Sequence, residues 1–86
     1  MFKIEFIEEA VKEFKKLDKP IQKLIKQKLE LLAKDLNKLK NNIKQLKGKY
    51  KNKYRLRVGN YRIIYQLKED VLIILIVRIR HRKEAH

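Results

Sequence analysis

Residues 52–66 restrict the possible folds most strongly, because charged and apolar side chains alternate on both sides of a two-residue turn signal. That signal is Gly59-Asn60, which favours a β-hairpin. A two-residue loop fixes which residues of the two strands lie opposite each other. On one face the predicted pairs are Val58 with Tyr61, Leu56 with Ile63 and Tyr54 with Tyr65. This face is apolar, and we expect it to lie against the core.

The opposite face of the hairpin is predicted to be cationic. Its pairs are Arg57 with Arg62, Arg55 with Ile64 and Lys53 with Gln66. Two arginines directly opposite each other destabilise a sheet unless an anion lies between them. We therefore expect a fold that keeps such a repulsive pair to use it for function. The hairpin therefore predicts an anion-binding surface.

A further strand is predicted over residues 71–79, after a loop at residues 68–70. With a three-residue loop, alternate apolar residues join the core face, namely Val71, Ile73, Leu75, Val77 and Ile79. Leu72, Ile74 and Ile76 join the other face, followed by Arg78, Arg80 and, by continued alternation, Arg82. A two-residue loop would reverse the faces and bury Arg78 without a partner, which is costly. The three-residue loop is therefore favoured.

The first half of the chain predicts a short strand and a helical hairpin. Residues 2–7 alternate with a period of two, and two glutamates then begin a helix. The next helix begins with Asp18 or Lys19 near its N-cap and Pro20 in its first turn. Its apolar stripe runs for about twenty residues at helical spacing, through Ile21, Leu24, Ile25, Leu29, Leu32, Leu36 and Leu39. Residues 43–48 are predicted to form a loop.

These elements predict an α+β fold with a short N-terminal strand, a helical hairpin and a three-stranded antiparallel β-meander in one sheet. With 86 residues, the chain has room for a single domain, residues 1–86.

The charge of the chain is strongly positive and unevenly distributed. There are 24 Lys+Arg against 10 Asp+Glu, a formal net charge of +14, which implies a polyanionic partner such as nucleic acid, an acidic protein or an anionic membrane. All six arginines follow residue 54, whereas 16 of the 18 lysines lie at residues 3–53. Arginine presents a rigid fork that matches phosphate oxygens, so its segregation favours a dedicated anion site. The helical lysines are better explained as a solvated face, or as the composition of a thermophile or an AT-rich genome.

Several classes of protein are disfavoured by the composition. There is no cysteine and only two histidines, so we expect neither a disulfide framework, nor a metal site, nor a cofactor. No run of 18 apolar residues and no signal peptide is present, so we expect a soluble, cytoplasmic protein that does not bind membranes.

Cleavage of RNA needs no metal when the ribose 2′-OH attacks the adjacent phosphate, because cationic side chains can stabilise the transition state. Proton transfer requires a further group, for which the candidates are Tyr50, His81 and His86. Each of these taken alone is more often an ordinary surface residue.

Two motifs give the chain a family resemblance. They are K-x-R-x-R-V-G-N-Y-R-I-I-Y at residues 53–65 and H-R-K at residues 81–83. With them, the chain resembles the RelE/ParE toxin superfamily, and most closely the RelE-type mRNA interferases. The resemblance implies a toxin of a type II toxin-antitoxin system, a metal-independent endoribonuclease that cuts mRNA in the ribosomal A site and inhibits translation. It also implies a cognate, RelB-like antitoxin with an acidic, amphipathic helix.

The same resemblance assigns roles to individual residues. Lys53 and Arg55 would contact substrate phosphates, Arg62 the scissile phosphate, and Arg82 the transition state or leaving group. The terminal tyrosine of the family falls on His86, which would act as the base or leave the site weakened. The remaining residues expected to bind RNA are Lys51, Arg57, Arg78, Arg80 and His81.

Two alternatives remain open from the sequence. A ParE-like toxin would inhibit DNA gyrase with the same fold and without nuclease chemistry, and a basic RNA-binding module would bind without cleaving. The arginine and lysine set around the hairpin favours the nuclease, since a gyrase inhibitor has no need of it.

Overall fold

One mixed β-sheet organises the fold, and two helices pack against one of its faces. The computed structural model describes residues 1–48 and 52–84. The elements in chain order are β1 (Lys3–Phe6), α1 (Glu8–Lys15), α2 (Lys19–Lys34), a 3-10 helix (Leu36–Asn42), β2 (Ile43–Gln45), β3 (Lys53–Val58), β4 (Tyr61–Lys68), β5 (Ile73–His81) and a 3-10 turn (Arg82–Glu84). The strand order is β1-β5-β4-β3-β2, with β1 parallel to β5 and the other pairs antiparallel. The predicted α+β class, N-terminal strand, helical hairpin and meander are confirmed.

The register predicted for the central hairpin is confirmed at every pair from Lys53↔Gln66 to Val58↔Tyr61. Gly59 has a φ of +58°, as the first central residue of a type II′ turn requires. Leu56 and Ile63 lie opposite each other with no exposed surface, so the apolar face of the hairpin forms one side of the core.

The predicted loop at residues 43–48 is wrong at its beginning, where β2 pairs with β3. Ile43 lies opposite Leu56 and Lys44 opposite Arg55. Three residues carry too little alternation to predict a strand, and β2 forms because β3 offers it an unpaired edge. The sheet consequently has five strands.

The predicted long helix is also wrong at its C-terminal end, because α2 ends at Lys34. Asp35 is extended, with φ −155° and ψ 102°, and its carboxylate accepts a hydrogen bond from the Asn37 N–H at 3.0 Å. An aspartate side chain that bonds the backbone in this way competes with the helical hydrogen bond. Leu39 nevertheless remains buried, now from the 3-10 helix.

The prediction for β5 is right for its charged half and wrong for its apolar half. Lys68 pairs with Ile73, so the preceding loop has four residues, and Ile74 and Ile76 are fully buried instead of exposed. The register then shifts between Ile76 and Arg78 through a β-bulge at Val77. The bulge restores the predicted alternation, which keeps Arg78 and Arg80 off the core face and Ile79 on it.

The core is formed by the buried face of the sheet and by both helices. Its members include Ala10 from α1, and Ile25, Leu29 and Leu32 from α2. Each fully buried aliphatic side chain stabilises the fold by about 1.5–3 kcal/mol relative to exposure. Within the described part of the chain, no helix has the length and apolar character needed to cross a bilayer.

Tyr65 is buried beneath the stacked ring of Tyr54, with ring centroids 5.5 Å apart and an interplanar angle of 20°. Burial, with a smaller contribution from Tyr54, raises the pKa of Tyr65 to about 12. An unfolded tyrosine has a pKa of about 10. Because the folded pKa is the higher one, the neutral phenol stabilises the fold fully below the unfolded pKa, and this stability is lost as pH rises through the folded pKa.

We therefore expect wild-type protein to lose up to about 3 kcal/mol more stability than Tyr65→Phe as pH rises from about 10 to about 12. The measurement is the free energy of unfolding in denaturant at a series of pH values. Parallel losses in the two proteins would contradict the expectation.

Deleting Val77 should remove the bulge and bring both halves of β5 into one continuous alternation, because Tyr65 already pairs with Ile76 and Ile64 with Arg78. Ile74, Ile76 and Ile79 would stay on the core face and both arginines off it, so we expect the deletion variant to fold and to lose no more than about 1–3 kcal/mol. The control is Val77→Ala, which keeps the bulge and should cost a similar amount. Urea unfolding measures both, and a deletion variant that fails to fold while Val77→Ala folds would contradict this account of the bulge.

Candidate nucleic-acid interface

The face of the sheet that carries no helices presents two rows of cations across its strands. One row joins Arg57, Arg62 and Arg80, which lie opposite one another on β3, β4 and β5. The next row contains Lys44, Arg55, Ile64 and Arg78. The strand β2 adds Lys44, which the sequence did not place on this surface. Lys53 is the next residue of β3 on this face, two positions before Arg55, and lies opposite Gln66.

Arg55 is held in an unfavourable environment for its own charge. Its Nε atom is buried and has no hydrogen-bond partner within the described residues. Burial, then the charges of Arg57 and Arg62, lower the pKa of Arg55. An arginine nevertheless stays protonated in proteins. An anion bound at this surface would offset the repulsion between Arg55 and the two neighbouring arginines.

A cavity of about 230 Å³ lies at the tip of the hairpin and is lined by Arg57, Gly59, Asn60, Tyr61, Arg62 and Arg82. The Arg82 N–H donates a hydrogen bond of 2.8 Å to the Asn60 carbonyl, which ties the segment after β5 to the hairpin turn. This bond brings Arg82 beside Arg62, as predicted, although Arg82 has left the strand. Three arginines thus line one cavity.

The other two predicted RNA-binding arginines are already ion-paired. Arg78 contacts Glu13 through Nε and Nη2, both at 3.2 Å, and reaches Glu9 at 3.9 Å. Arg80 lies 3.9 Å from the same Glu13 carboxylate. Among the side chains at positions 1–48 and 52–83, no carboxylate lies within 4.0 Å of Arg55, Arg57 or Arg62.

His81 faces away from the arginine rows. It lies opposite Tyr61, and the two rings meet edge to face with centroids 5.1 Å apart. Its Nδ1 accepts a hydrogen bond of 3.2 Å from the Lys83 N–H. His81 therefore supports the 3-10 turn that carries Arg82. The predicted residues Lys51 and His86, and the candidate Tyr50, lie outside the described residues.

Besides Lys44, three residues of this site were not predicted from the sequence. Tyr61 was expected in the core, but it is only half-buried and also lines the cavity. Asn60 was read as a turn residue only, and Glu13 lies 65 residues from Arg78, so no local pattern connects them. In the described residues, no group of three or more His, Asp or Glu side chains is arranged to hold a metal ion.

Comparison with known proteins finds a family of similar toxins. A family model described as the ParE toxin of the type II toxin-antitoxin system parDE matches residues 4–86. The chain is 41% identical to Toxin RelE3 of Methanocaldococcus jannaschii, over 98% of this chain and 94% of that protein. It is 32% identical to a putative RelE-like toxin protein of Escherichia coli, covering 98% of this chain and 86% of that one.

Solved structures show the same architecture. The RelB-RelE antitoxin-toxin complex from Methanococcus jannaschii has a TM-score of 0.72 at 37% identity, covering 92% of this chain and 91% of that chain. The RelE-RelB complex from Pyrococcus horikoshii OT3 has a TM-score of 0.80, with 98% of each chain covered, and at 22% identity it shows the fold.

The repulsion between the facing arginines should lower the free energy of unfolding, and replacing one of them with a neutral residue should raise it again. Because Arg57 and Arg62 repel each other, Arg57→Gln should raise the free energy of unfolding by about 0.5 kcal/mol at low salt, and the gain should fade at high salt. Urea unfolding at two salt concentrations measures this. The control is Lys26→Gln on the exposed face of α2, which should change little. A destabilised Arg57→Gln at low salt would show that the repulsion is not significant.

Proposed function

Since the chain belongs to the RelE/ParE superfamily of type II toxin-antitoxin toxins, we propose that it is a ribosome-dependent mRNA endonuclease that cleaves in the A site and inhibits translation. The observation that carries this proposal is the cavity on which Arg57, Arg62 and Arg82 converge. Its size and its charge suit one phosphate group with parts of the adjoining nucleotides. Backbone contacts of this kind hold an RNA strand regardless of its sequence.

The proposed reaction is attack of a ribose 2′-oxygen on the adjacent phosphorus. The 2′-oxygen gains a bond to phosphorus while it loses its proton, and the bond from phosphorus to the 5′-oxygen breaks as that oxygen is protonated. The products are a 2′,3′-cyclic phosphate and a 5′-hydroxyl. Negative charge builds up on the phosphoryl oxygens in the transition state, where fixed cations are most effective.

Each residue then has a proposed role in this reaction. Arg62 and Arg82, which both line the cavity, stabilise the charge that develops on the phosphoryl and leaving-group oxygens. Lys53 and Arg55, further along β3, hold the neighbouring phosphates. Arg57, which also lines the cavity, adds to its positive potential. His86 is proposed as the base that removes the 2′-OH proton.

We also propose a cognate antitoxin with an acidic, amphipathic helix. The relatives solved from Methanococcus jannaschii and Pyrococcus horikoshii OT3 are each described as a complex of RelE with RelB. This chain carries a formal net charge of +14, so an acidic partner would neutralise it. Among the described strands, β2 lies at one end of the sheet. Its outer edge can therefore offer backbone N–H and C=O groups to such a partner.

A second candidate is a ParE-like inhibitor of DNA gyrase, and the description of the matched family model favours it. The fold serves both activities. The nuclease is the better supported of the two, because a cavity lined by three arginines suits a phosphate and is unnecessary for protein-protein inhibition.

Primer extension on translating ribosomes tests the proposal. Wild-type protein should cut mRNA in the A site, and Arg62→Ala and Arg82→Ala should each lower the rate at least about 100-fold, because each removes a transition-state cation. The control is Lys26→Ala, on the exposed face of α2, which should cleave normally. His86→Ala should also be slowed if this residue is the base.

Two results would refute the proposal. Intact mRNA with wild-type protein, together with inhibition of supercoiling by gyrase, would favour the ParE-like alternative. Normal cleavage by both folded arginine variants would show that the cavity is not the active site. Normal cleavage by His86→Ala alone would remove only that residue from the mechanism.

A further inference from the structure

The C-terminal part of β5 has no neighbouring strand on the side where β1 pairs with its first part, and a side chain of α1 bonds the backbone there instead. The pairing of β1 with β5 ends at Phe6↔Ile76, after which Ile7 donates a last backbone hydrogen bond to the Ile76 carbonyl. Beyond that point the Ile79 N–H points out of the sheet and donates to Glu13 Oε1 at 2.8 Å. One carboxylate oxygen thus takes the place of a missing neighbouring strand.

The second oxygen of the same carboxylate is the anion that Arg78 and Arg80 share. Glu13 Oε2 lies 3.2 Å from Arg78 Nε and Nη2, and 3.9 Å from Arg80 Nε. The Glu13 side chain is 24% exposed, whereas Glu9, which also reaches Arg78, is 70% exposed. A partly shielded ion pair that also has a hydrogen bond is stronger than an exposed one. Glu13 is therefore the principal partner of both arginines.

Glu13 makes the cationic surface uneven. In the row Arg57, Arg62 and Arg80, only Arg80 has a carboxylate beside it within the described side chains. The carboxylate thereby lowers the positive electrostatic potential of the row at β5, whereas the potential at β3 and β4 stays high. A phosphate approaching this face is directed toward β3 and β4 and away from the side of the row that Arg80 occupies.

We propose that Glu13 is a positioning residue, a built-in anion that keeps Arg78 and Arg80 from binding RNA and confines the RNA strand to the surface of β3, β4 and the hairpin tip. This inference rests on the proposed function in taking RNA as the ligand. Arg78 and Arg80 then serve to join α1 to β5, and with it to the segment that carries Arg82.

Glu13→Gln tests the proposal, because the amide oxygen can still accept the Ile79 N–H while the charge is lost. We expect the freed arginines to bind additional phosphates of a non-cleavable 2′-O-methyl RNA oligomer. The plot of log K against log salt should then steepen by about 0.7 for each new contact, up to about 1.4 for both arginines. Adding Arg78→Ala to Glu13→Gln should remove about half of the increase.

The matched control is Glu8→Gln, which removes the same charge from the same helix. Glu8 is 86% exposed and contacts only Lys12 among the described side chains, so its slope should equal that of wild type. Equal slopes for Glu13→Gln and Glu8→Gln, whether raised or unchanged, would overturn the proposal. Oligomer binding does not require cleavage, so this result is separate from a failure of wild-type protein to cut mRNA on ribosomes.

A measurement on wild-type protein covers the case in which Glu13→Gln fails to fold. The arginine Nε–H signals can be followed by nitrogen-15 NMR while the same oligomer is added. The signals of Arg57 and Arg62 should shift, and that of Arg78, held by Glu13, should not. A shift of the Arg78 signal as large as theirs would contradict the inference.

Discussion

The register of the β3-β4 hairpin is the constraint on which the rest of the structure depends. Because side chains alternate across a strand, one register determines both faces at once. On the core face it aligns Leu56 with Ile63, and the pairing of β4 with β5 adds Ile79; each of these stabilises the fold by about 1.5–3 kcal/mol on burial. On the other face the same two pairings align Arg57, Arg62 and Arg80, whose repulsion costs about 0.2–1 kcal/mol for each facing pair. The apolar term is larger, so the core forces the arginines together.

The features that the sequence predicted are those determined by neighbouring residues. The turn at Gly59-Asn60 and the alternation on either side suffice to give every pair of the hairpin, and Pro20 marks the beginning of α2. The features that it did not predict depend on distant contacts. Ile43–Gln45 becomes a strand only because β3 is beside it, and α2 ends early because the Asp35 side chain finds a backbone donor.

The same division holds for the site. Alternation placed Arg55, Arg57 and Arg62 on one face, and Arg82 reached them by a backbone hydrogen bond to Asn60 that alternation could not foresee. Alternation also predicted Arg78 and Arg80 on the same side as Arg62, yet their environment is determined by α1. A count of arginines therefore overstates the charge that this face offers to a ligand, because helix packing decides which guanidinium groups remain available.

The bulge at Val77 divides β5 into two segments that follow different rules of alternation. Before it the even-numbered residues face the core, and after it the odd-numbered Ile79 does. The apolar segment and the charged segment can therefore acquire substitutions independently, because the two do not share one alternating pattern of core-facing residues. A search for this surface in unrelated sequences should accordingly allow a change of frame just before the first arginine of the last strand, because a strict alternating pattern would miss chains built in this way.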